Sequence, residues 1–303
     1  MKILVTGGAG FIGSHVVDAY IAAGHQVAII DNLSTGSRTN LNSRAVFYEA
    51  DIRDRSLMSE IISKEKPDII NHHAAQAAVT VSGVNPGETY DVNVMGTLNL
   101  LLASAGIQKF IFISTGGALY GDLIKGQKPF TETSAPRPFS AYGLSKLLGE
   151  QLVAFYAKQM GFSHTIVRLA NAYGPRQNPK GEAGICAIFS LLLSQGKQPT
   201  IYNKDATRDY VFVSDIAQVN LQILDKGDAL IANIGTGMET TNQEIFEIIA
   251  TEYGYTGTPR YEPARMNEVK HTAVDASLAS RELNWKPTVR LPEGIKKIHA
   301  WQN

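Results

Sequence analysis

One short stretch restricts the possible folds of this chain more than any other. Lys2-Ile3-Leu4-Val5-Thr6 runs into Gly7-Gly8-Ala9-Gly10-Phe11-Ile12-Gly13, and apolar residues at three- and four-residue spacing continue over 12–23. This is a strand, a glycine turn and a helix, the arrangement with which a βαβ unit receives a dinucleotide. The turn must be tight, the backbone must approach a pyrophosphate, and the helix must pack close to the strand with its N-terminus facing negative charge. Glycine removes the Cβ that would obstruct each approach. Asp31 closes the next apolar run, Val27-Ala28-Ile29-Ile30, about 20 residues on. A carboxylate there accepts hydrogen bonds from both hydroxyls of an adenosine ribose and repels a 2′-phosphate, so the expected cofactor is NAD rather than NADP.

The alternation continues through the first half. Short β-branched runs at 26–30, 46–48, 69–70 and 110–113 are separated by helical patterns at 12–23, 56–64 and 92–105. Successive βαβ units make a parallel sheet covered on both faces, so the predicted class is α/β, a doubly wound parallel sheet. From about residue 170, loops rich in Gly, Pro, Asn and charge interrupt shorter elements. The expected organisation is a Rossmann domain over 1–169 and a smaller α/β substrate domain over 170–303, with about 209–234 supplying a helix and a strand that rejoin the first sheet.

Charge and composition narrow the partners. The 28 Lys plus Arg balance 28 Asp plus Glu, which gives no general electrostatic reason to bind nucleic acid or an acidic membrane surface. No run of about 18 apolar residues occurs, and the apolar run at residues 3–5 is too short for a signal peptide, so no membrane association is expected. Cys186 is the only cysteine, which excludes an intrachain disulfide and a cysteine-rich zinc site and favours a reducing, cytoplasmic setting. The scattered histidines show no ligand spacing, and no metal is expected.

Tyr142-Gly143-Leu144-Ser145-Lys146 places a phenol and an ammonium one helical turn apart on the same face. A phenol titrating near about 10 is a poor base at neutral pH. A fixed cation beside it stabilises the phenolate, and Tyr142 becomes a usable general base. Ser114-Thr115-Gly116-Gly117 follows the run 110–113, which puts hydroxyls at the C-terminal edge of a parallel strand, where ligands bind in this class of fold.

Together these motifs resemble the extended short-chain dehydrogenase/reductases and, within them, the UDP-glucose 4-epimerase group of nucleotide-sugar epimerases. The resemblance spans essentially the whole chain. Residues 6–13, Asp31-Asn32-Leu33-Ser34-Thr35-Gly36, Asp51-Ile52-Arg53-Asp54, His73-Ala74-Ala75-Gln76, residues 114–121, 142–146 and Gly174-Pro175-Arg176-Gln177 all occur in the family's order. It implies that Gly7, Gly10, Phe11, Ile12 and Gly13 lie along the pyrophosphate, that Asp31, Asn32, Leu33, Ser34, Thr35 and Gly36 hold the adenosine ribose, and that Asp51 and Ile52 bracket the adenine. Ala74, Ala75, Gln76 and Asn93 would line the nicotinamide side with Ala170 as a further cofactor contact, Lys146 would bond the nicotinamide ribose, and Tyr142 would be the base. Many members carry a catalytic Ser four residues before the Tyr of a Tyr-Gly pair; counted back from Tyr120, that position is Gly116. The resemblance then assigns the hydroxyl to Thr115, with Ser114 as the alternative.

On the substrate side the resemblance implies that Asn171 contacts the phosphate region or the sugar, and that Arg208 and Arg265 clamp a diphosphate through charge-assisted forks. Arg265 is followed by Met266-Asn267-Glu268 where the family usually has Gly in place of Asn267, and Asn also tolerates positive φ. Thr272 occupies the position that controls space beside the sugar's C2 substituent, and its small size implies room for UDP-N-acetylglucosamine and UDP-N-acetylgalactosamine beside UDP-glucose and UDP-galactose. The implied reaction is redox-neutral epimerisation at C4 through a 4-keto sugar. A dehydratase would need an Asp-Glu pair after the active-site Thr, where Gly116-Gly117 stands; a UDP-glucuronate epimerase or decarboxylase is an alternative, and an NAD-sensing regulator is disfavoured because Tyr142 and Lys146 are both present. Relatives pair through two helices, here near 92–105 and 144–158, so Leu98, Leu101, Leu102, Leu148, Leu152 and Phe155 are candidates for a homodimer face.

Overall fold

The computed structural model describes residues 1–303 except 125, 180–183 and 265–268. The first half runs β1 (Lys2–Thr6), α1 (Phe11–Ala22), β2 (Gln26–Asp31), β3 (Val46–Glu49), α2 (Arg55–Glu65) and β4 (Ile69–His72). Then come α3 (Val79–Val84), α4 (Pro86–Tyr90), a π-helical turn (Asp91–Met95), α5 (Gly96–Ala103), β5 (Lys109–Thr115), α6 (Ala141–Met160) and β6 (Ser163–Leu169). Beyond them lie β7 (Asn171–Tyr173), α7 (Ile185–Ser194), β8 (Thr200–Tyr202), β9 (Thr207–Arg208), β10 (Tyr210–Phe212), α8 (Val213–Gln222) and β11 (Leu230–Ile234). The last elements are β12 (Thr240–Thr241), α9 (Asn242–Tyr253), β13 (Arg260–Glu262), α10 (Ser277–Leu283) and α11 (Leu291–Gln302).

Seven strands form one sheet in the order β11-β6-β5-β4-β1-β2-β3, and every pairing in it is parallel. Its strands are apolar on both faces because both are covered. Ile3, Val5 and Ile29 pack with Val16, Val17, Ile216 and Val219 of α1 and α8. Leu4, Ile30, Ile70 and Phe112 point the other way, against Met58, Ile61, Leu100 and Val153 of α2, α5 and α6. The chain winds outward from β1 to β3 and returns on the opposite side of β1 as β4, so a crevice opens between β1 and β4 at their C-terminal ends. A third core, with Tyr173, Phe189, Phe212, Ile245 and Ile298, has its buried residues beyond β6, and Phe11 of α1 packs against it. Cys186 is buried within it, and burial pushes its thiol up to about 12, so it packs rather than reacts.

Two details differ from the sequence pattern. The helix expected over 92–105 is instead a π turn followed by α5. The wider turn draws Asn93 inward, where it bonds to Gln76 and Ser145, while Gly96 packs so tightly on Ile52 that a Cβ would lie 2.5 Å from its Cδ1. Leu101, expected on an outer face, is fully buried in the monomer core.

Candidate active site

The glycine turn is held open by close backbone approaches. Gly7 has φ +70, and a Cβ on it would lie 2.7 Å from the amide nitrogen of Ala74; one on Gly13 would collide with the Gly7 carbonyl oxygen. Gly10 caps α1 without a side-chain hydrogen bond, and the first turn, beginning Phe11 and Ile12, carries no acidic residue. By contrast α6 is capped by Ser140 and α2 by Asp54. The start of α1 therefore keeps N–H groups and positive dipole available to an anion at the β1/β4 crevice.

The residues expected around the adenosine come together beside it. The buried Asp31 carboxylate accepts from the amides of Ala9 at 3.0 Å and Leu33 at 2.8 Å, and Gly36 passes over it. Asn32 donates to Asp51 at 2.8 Å and accepts from the Ser34 amide, which joins the 31–36 loop to the loop after β3. Arg53 hydrogen-bonds Asp51 through its side chain, holding that carboxyl well below the usual carboxylate range. Ile52 is buried beneath α5.

Beyond β4, the Ala74 amide donates to Thr6 Oγ1 at 3.2 Å. Asn93 locks the following loop: its Oδ1 accepts from the Gln76 amide at 2.7 Å, and its Nδ2 donates to the Gln76 carbonyl and to Ser145 Oγ, both at 2.9 Å. Ser145 in turn donates to the Tyr142 carbonyl at 2.7 Å. The 74–76 loop and the first turn of α6 are thus one hydrogen-bonded unit.

α6 packs across β5, which brings Tyr142 and Lys146 to the helix above the strand that Thr115 closes. Tyr142 is half-buried. Lys146 is buried with Nζ 4.7 Å from the Phe112 ring; burial pushes its pKa down to about 8, and Glu150, one turn further on, pulls it back up. Thr115 Oγ1 accepts from the Ala118 amide at 3.2 Å. Ser114 instead donates to Glu150 at 2.5 Å, and Glu150 forms a two-pronged pair with Arg168 at 2.9 and 2.6 Å. The pair is buried, and Arg168 also donates to Tyr120.

The opposite wall comes from the elements after β6. A Cβ on Gly117 would lie 2.9 Å from Asn171 Oδ1 and 4.0 Å from Thr115 Oγ1, so Asn171 and Thr115 flank the same glycine. Ala170 donates its amide to Ile234, and the Asn171 amide to the Asp209 carbonyl. The buried Asp209 carboxylate accepts from Thr236, Gly237 and Val274, which ties β9 and β10 to the end of β11; burial pushes its pKa up. The Arg208 guanidinium donates to the carbonyls of Thr207 at 2.8 Å and Lys270 at 3.3 Å. Thr272 is buried in the extended segment whose Val274 lies under Gly116. Arg265 lies outside the described residues.

Sequence reasoning missed Glu150, Ser145 and Asp209. Glu150 had a visible signal, since Tyr142, Lys146 and Glu150 recur at four-residue spacing on one helix face. Asp209 had none, because its partners are scattered from 236 to 274. A cavity of about 410 Å³ bounded by Lys2, Gln26, Arg44 and Glu65 opens at the opposite, N-terminal edge of β1 and β2 and takes no part in this arrangement.

Fold and site together define a dinucleotide-using enzyme on a doubly wound sheet. The chain belongs to the NAD dependent epimerase/dehydratase family, whose model matches residues 3–235. It is similar to the UDP-glucose 4-epimerase of Thermotoga maritima solved with UDP-glucose: 43% identity, 100% of this chain and 98% of that one, TM-score 0.97. The Thermus thermophilus UDP-glucose 4-epimerase solved with NAD is 37% identical over 99% of this chain and 98% of that one, with TM-score 0.94. A Mycolicibacterium smegmatis UDP-glucose 4-epimerase is 38% identical, covering 98% of this chain and 97% of its own length.

Proposed function

We propose that this enzyme inverts C4 of a UDP-hexose, interconverting UDP-glucose and UDP-galactose with a retained NAD. The observation that carries the reading is the Tyr142-Lys146 pair on α6, packed over the β5 edge where Thr115 is followed by two glycines rather than by an acid-base pair. The residues present fit the cofactor: a turn with no space for Cβ atoms, an uncapped helix start, and a carboxylate oriented by two amides. Gly7, Gly10, Phe11, Ile12 and Gly13 would hold its pyrophosphate, Asp31 with 32–36 its adenosine ribose, Asp51 and Ile52 its adenine, and Ala74, Ala75, Gln76, Asn93, Lys146 and Ala170 its nicotinamide half. When bound, NAD would supply reversible hydride acceptance at C4 of the sugar. Tyr142 removes the proton of the 4-hydroxyl and later gives it back, with the Lys146 cation lowering the cost of the phenolate. Thr115, whose hydroxyl accepts one amide and keeps its own proton, bonds the sugar oxygen; Ser114 is committed to Glu150.

The 170–303 portion, apart from about 209–234, supplies the sugar-nucleotide side. Asn171, Arg208 and Arg265 hold the diphosphate while the sugar stays loosely bound, since the sugar must turn over between the two halves of the reaction. Small Thr272 leaves room for an N-acetyl group. Incubation of the purified protein with UDP-glucose, UDP-N-acetylglucosamine or UDP-glucuronate, without added NAD, is expected to yield the C4 epimers of the first two. Release of carbon dioxide or of a 4-keto-6-deoxy sugar would overturn the reading, and a Thr272→Tyr variant should lose the N-acetylated substrate selectively.

The subunit is proposed to act as a homodimer in a reducing, cytoplasmic setting. Met95 and Leu102 near α5 and Leu144, Leu148 and Phe155 along α6 are exposed apolar residues, the last three on one helix face at spacings of one and two turns. A Leu148→Glu, Phe155→Glu double variant should run as a monomer in light scattering; an unchanged mass would place the interface elsewhere. Among the described residues no helix is long and apolar enough to cross a membrane, and no group of His, Cys, Asp or Glu is arranged to hold a metal.

A further inference from the structure

Asp209 stands between Arg208, assigned above to the diphosphate, and Tyr210, the first residue of β10. The residue is 1% exposed, and its carboxylate accepts four hydrogen bonds: from the Thr236 amide at 2.8 Å and hydroxyl at 2.6 Å, from the Gly237 amide at 3.0 Å and from the Val274 amide at 3.3 Å. Its own carbonyl accepts from the Asn171 amide at 2.9 Å. One buried acid thus joins the stretches of chain around 171, 209, 236 and 274.

Those stretches carry the substrate side of the site. Thr272 precedes Val274 by two residues, and at the start of the same segment the Lys270 carbonyl accepts from the Thr207 amide at 2.8 Å and from the Arg208 guanidinium at 3.3 Å. Val274 is also a wedge. A Cβ on Gly116 would lie 2.8 Å from its Cγ1, and one on Gly235 would lie 2.6 Å from its Cγ2 and 2.4 Å from Asp209 Oδ2. Its side chain therefore fills the space between the β5 edge, closed by Thr115, and the end of β11, while the Asp209 carboxylate fixes the backbone behind it.

Burying a carboxylate among neutral donors is expensive, and cohesion alone is supplied as well by apolar side chains of similar volume. The carboxylate adds direction, since it is an acceptor at both oxygens and aligns donors from separate segments at once. Resting on the UDP-sugar reading above, we propose that Asp209 is a positioning residue for the substrate: through Val274, Thr236 and Asn171 it holds Arg208 and the 270–274 segment in register with the Thr115 edge, and so sets affinity for the nucleotide-sugar. Tyr142 and Lys146 stand on α6, to which none of these partners belongs, so the reaction centre is held independently of it.

The test uses the NAD-bound enzyme and two variants. Asp209→Asn keeps the shape but turns an NH₂ group toward donor amides, and Thr236→Val removes only the hydroxyl that reaches Asp209 Oδ1. UDP affinity is read by calorimetry, KM and kcat from epimerisation of UDP-glucose, and retained NAD by extraction. Asp209→Asn should weaken UDP binding and raise KM by about 10- to 150-fold, the range for one hydrogen bond to a charged group, and Thr236→Val by about 2- to 13-fold, with kcat within about threefold and NAD unchanged in both. A merely structural residue would instead lower the urea midpoint and leave KM and UDP affinity of the folded protein as in wild type, which would overturn the inference. Should Asp209→Asn not fold, Thr236→Val decides by the same criterion. A wild-type protein that neither binds UDP nor epimerises UDP-glucose would overturn the UDP-sugar reading itself, and this inference with it.

Discussion

Tyr142→Phe should lower kcat by about 100- to 10,000-fold, the usual contribution of a positioned general base, while leaving NAD bound. The substitution removes one oxygen and nothing from the hydrogen bonds that build the site, because Ser145 reaches the Tyr142 carbonyl rather than its ring. Affinity for the UDP-sugar should change little, so the loss falls on kcat; a variant that loses NAD or binds UDP poorly would assign Tyr142 a structural part instead. The pH dependence follows from its partner. Lys146 is pushed down to about 8 by burial, so the cation that favours the phenolate disappears as pH rises through about 8, and kcat should decline above that value. Stability has the opposite sign. Between about 8 and the ordinary lysine value of 10.5 the unfolded chain binds the proton that the native lysine has lost, so this residue's contribution to the stability of the NAD-free protein rises with pH across that window.

How far the fold and site could be read from the chain depended on whether the determining contacts were local. The strand, glycine turn and helix at 2–22 show in consecutive residues, and Gly13 is demanded by the Gly7 carbonyl within the turn itself; Gly7, by contrast, is demanded by His73 and Ala74 beyond β4. The doubly wound parallel sheet followed from repetition of the same unit, whereas the order of its seven strands is set by where the chain reverses across β1. The π turn at Asp91–Met95 was illegible because nothing in its own sequence requires it; Asn93 is drawn inward by Gln76 and by Ser145, which is far along the chain. The same holds for Asp209, whose carboxylate gathers donors from three later positions. Ser114 and Thr115 could not be told apart as adjacent hydroxyls on one strand edge. The strand's alternation separates them by turning Ser114 onto the buried Glu150. The role assigned through resemblance to Thr272 rests on pocket shape, which no periodicity encodes.

Glu150→Ala should cost stability on a scale that single surface changes do not reach. Glu150 is buried and is the shared acceptor of Ser114 and Arg168, and Arg168 reaches on to Tyr120, whose hydroxyl donates to Asn233 on β11. Removing the carboxylate leaves a guanidinium inside the protein without its counter-charge, a change that typically costs about 3–5 kcal/mol. Urea denaturation should show that loss, and Arg168→Met in the same chain should recover much of it, since the penalty comes chiefly from the stranded charge rather than from the value of the pair. A double variant no more stable than Glu150→Ala would refute that account. The recovered protein should still be a poor enzyme. Glu150 is the group that raises the Lys146 pKa against burial, so without it the cation that Tyr142 requires is lost at lower pH, and the decline of kcat with rising pH should begin below the wild-type value of about 8. Stability restored with a displaced pH profile would separate the two tasks of this residue: pairing a buried arginine, and holding the proton on Lys146 one turn away.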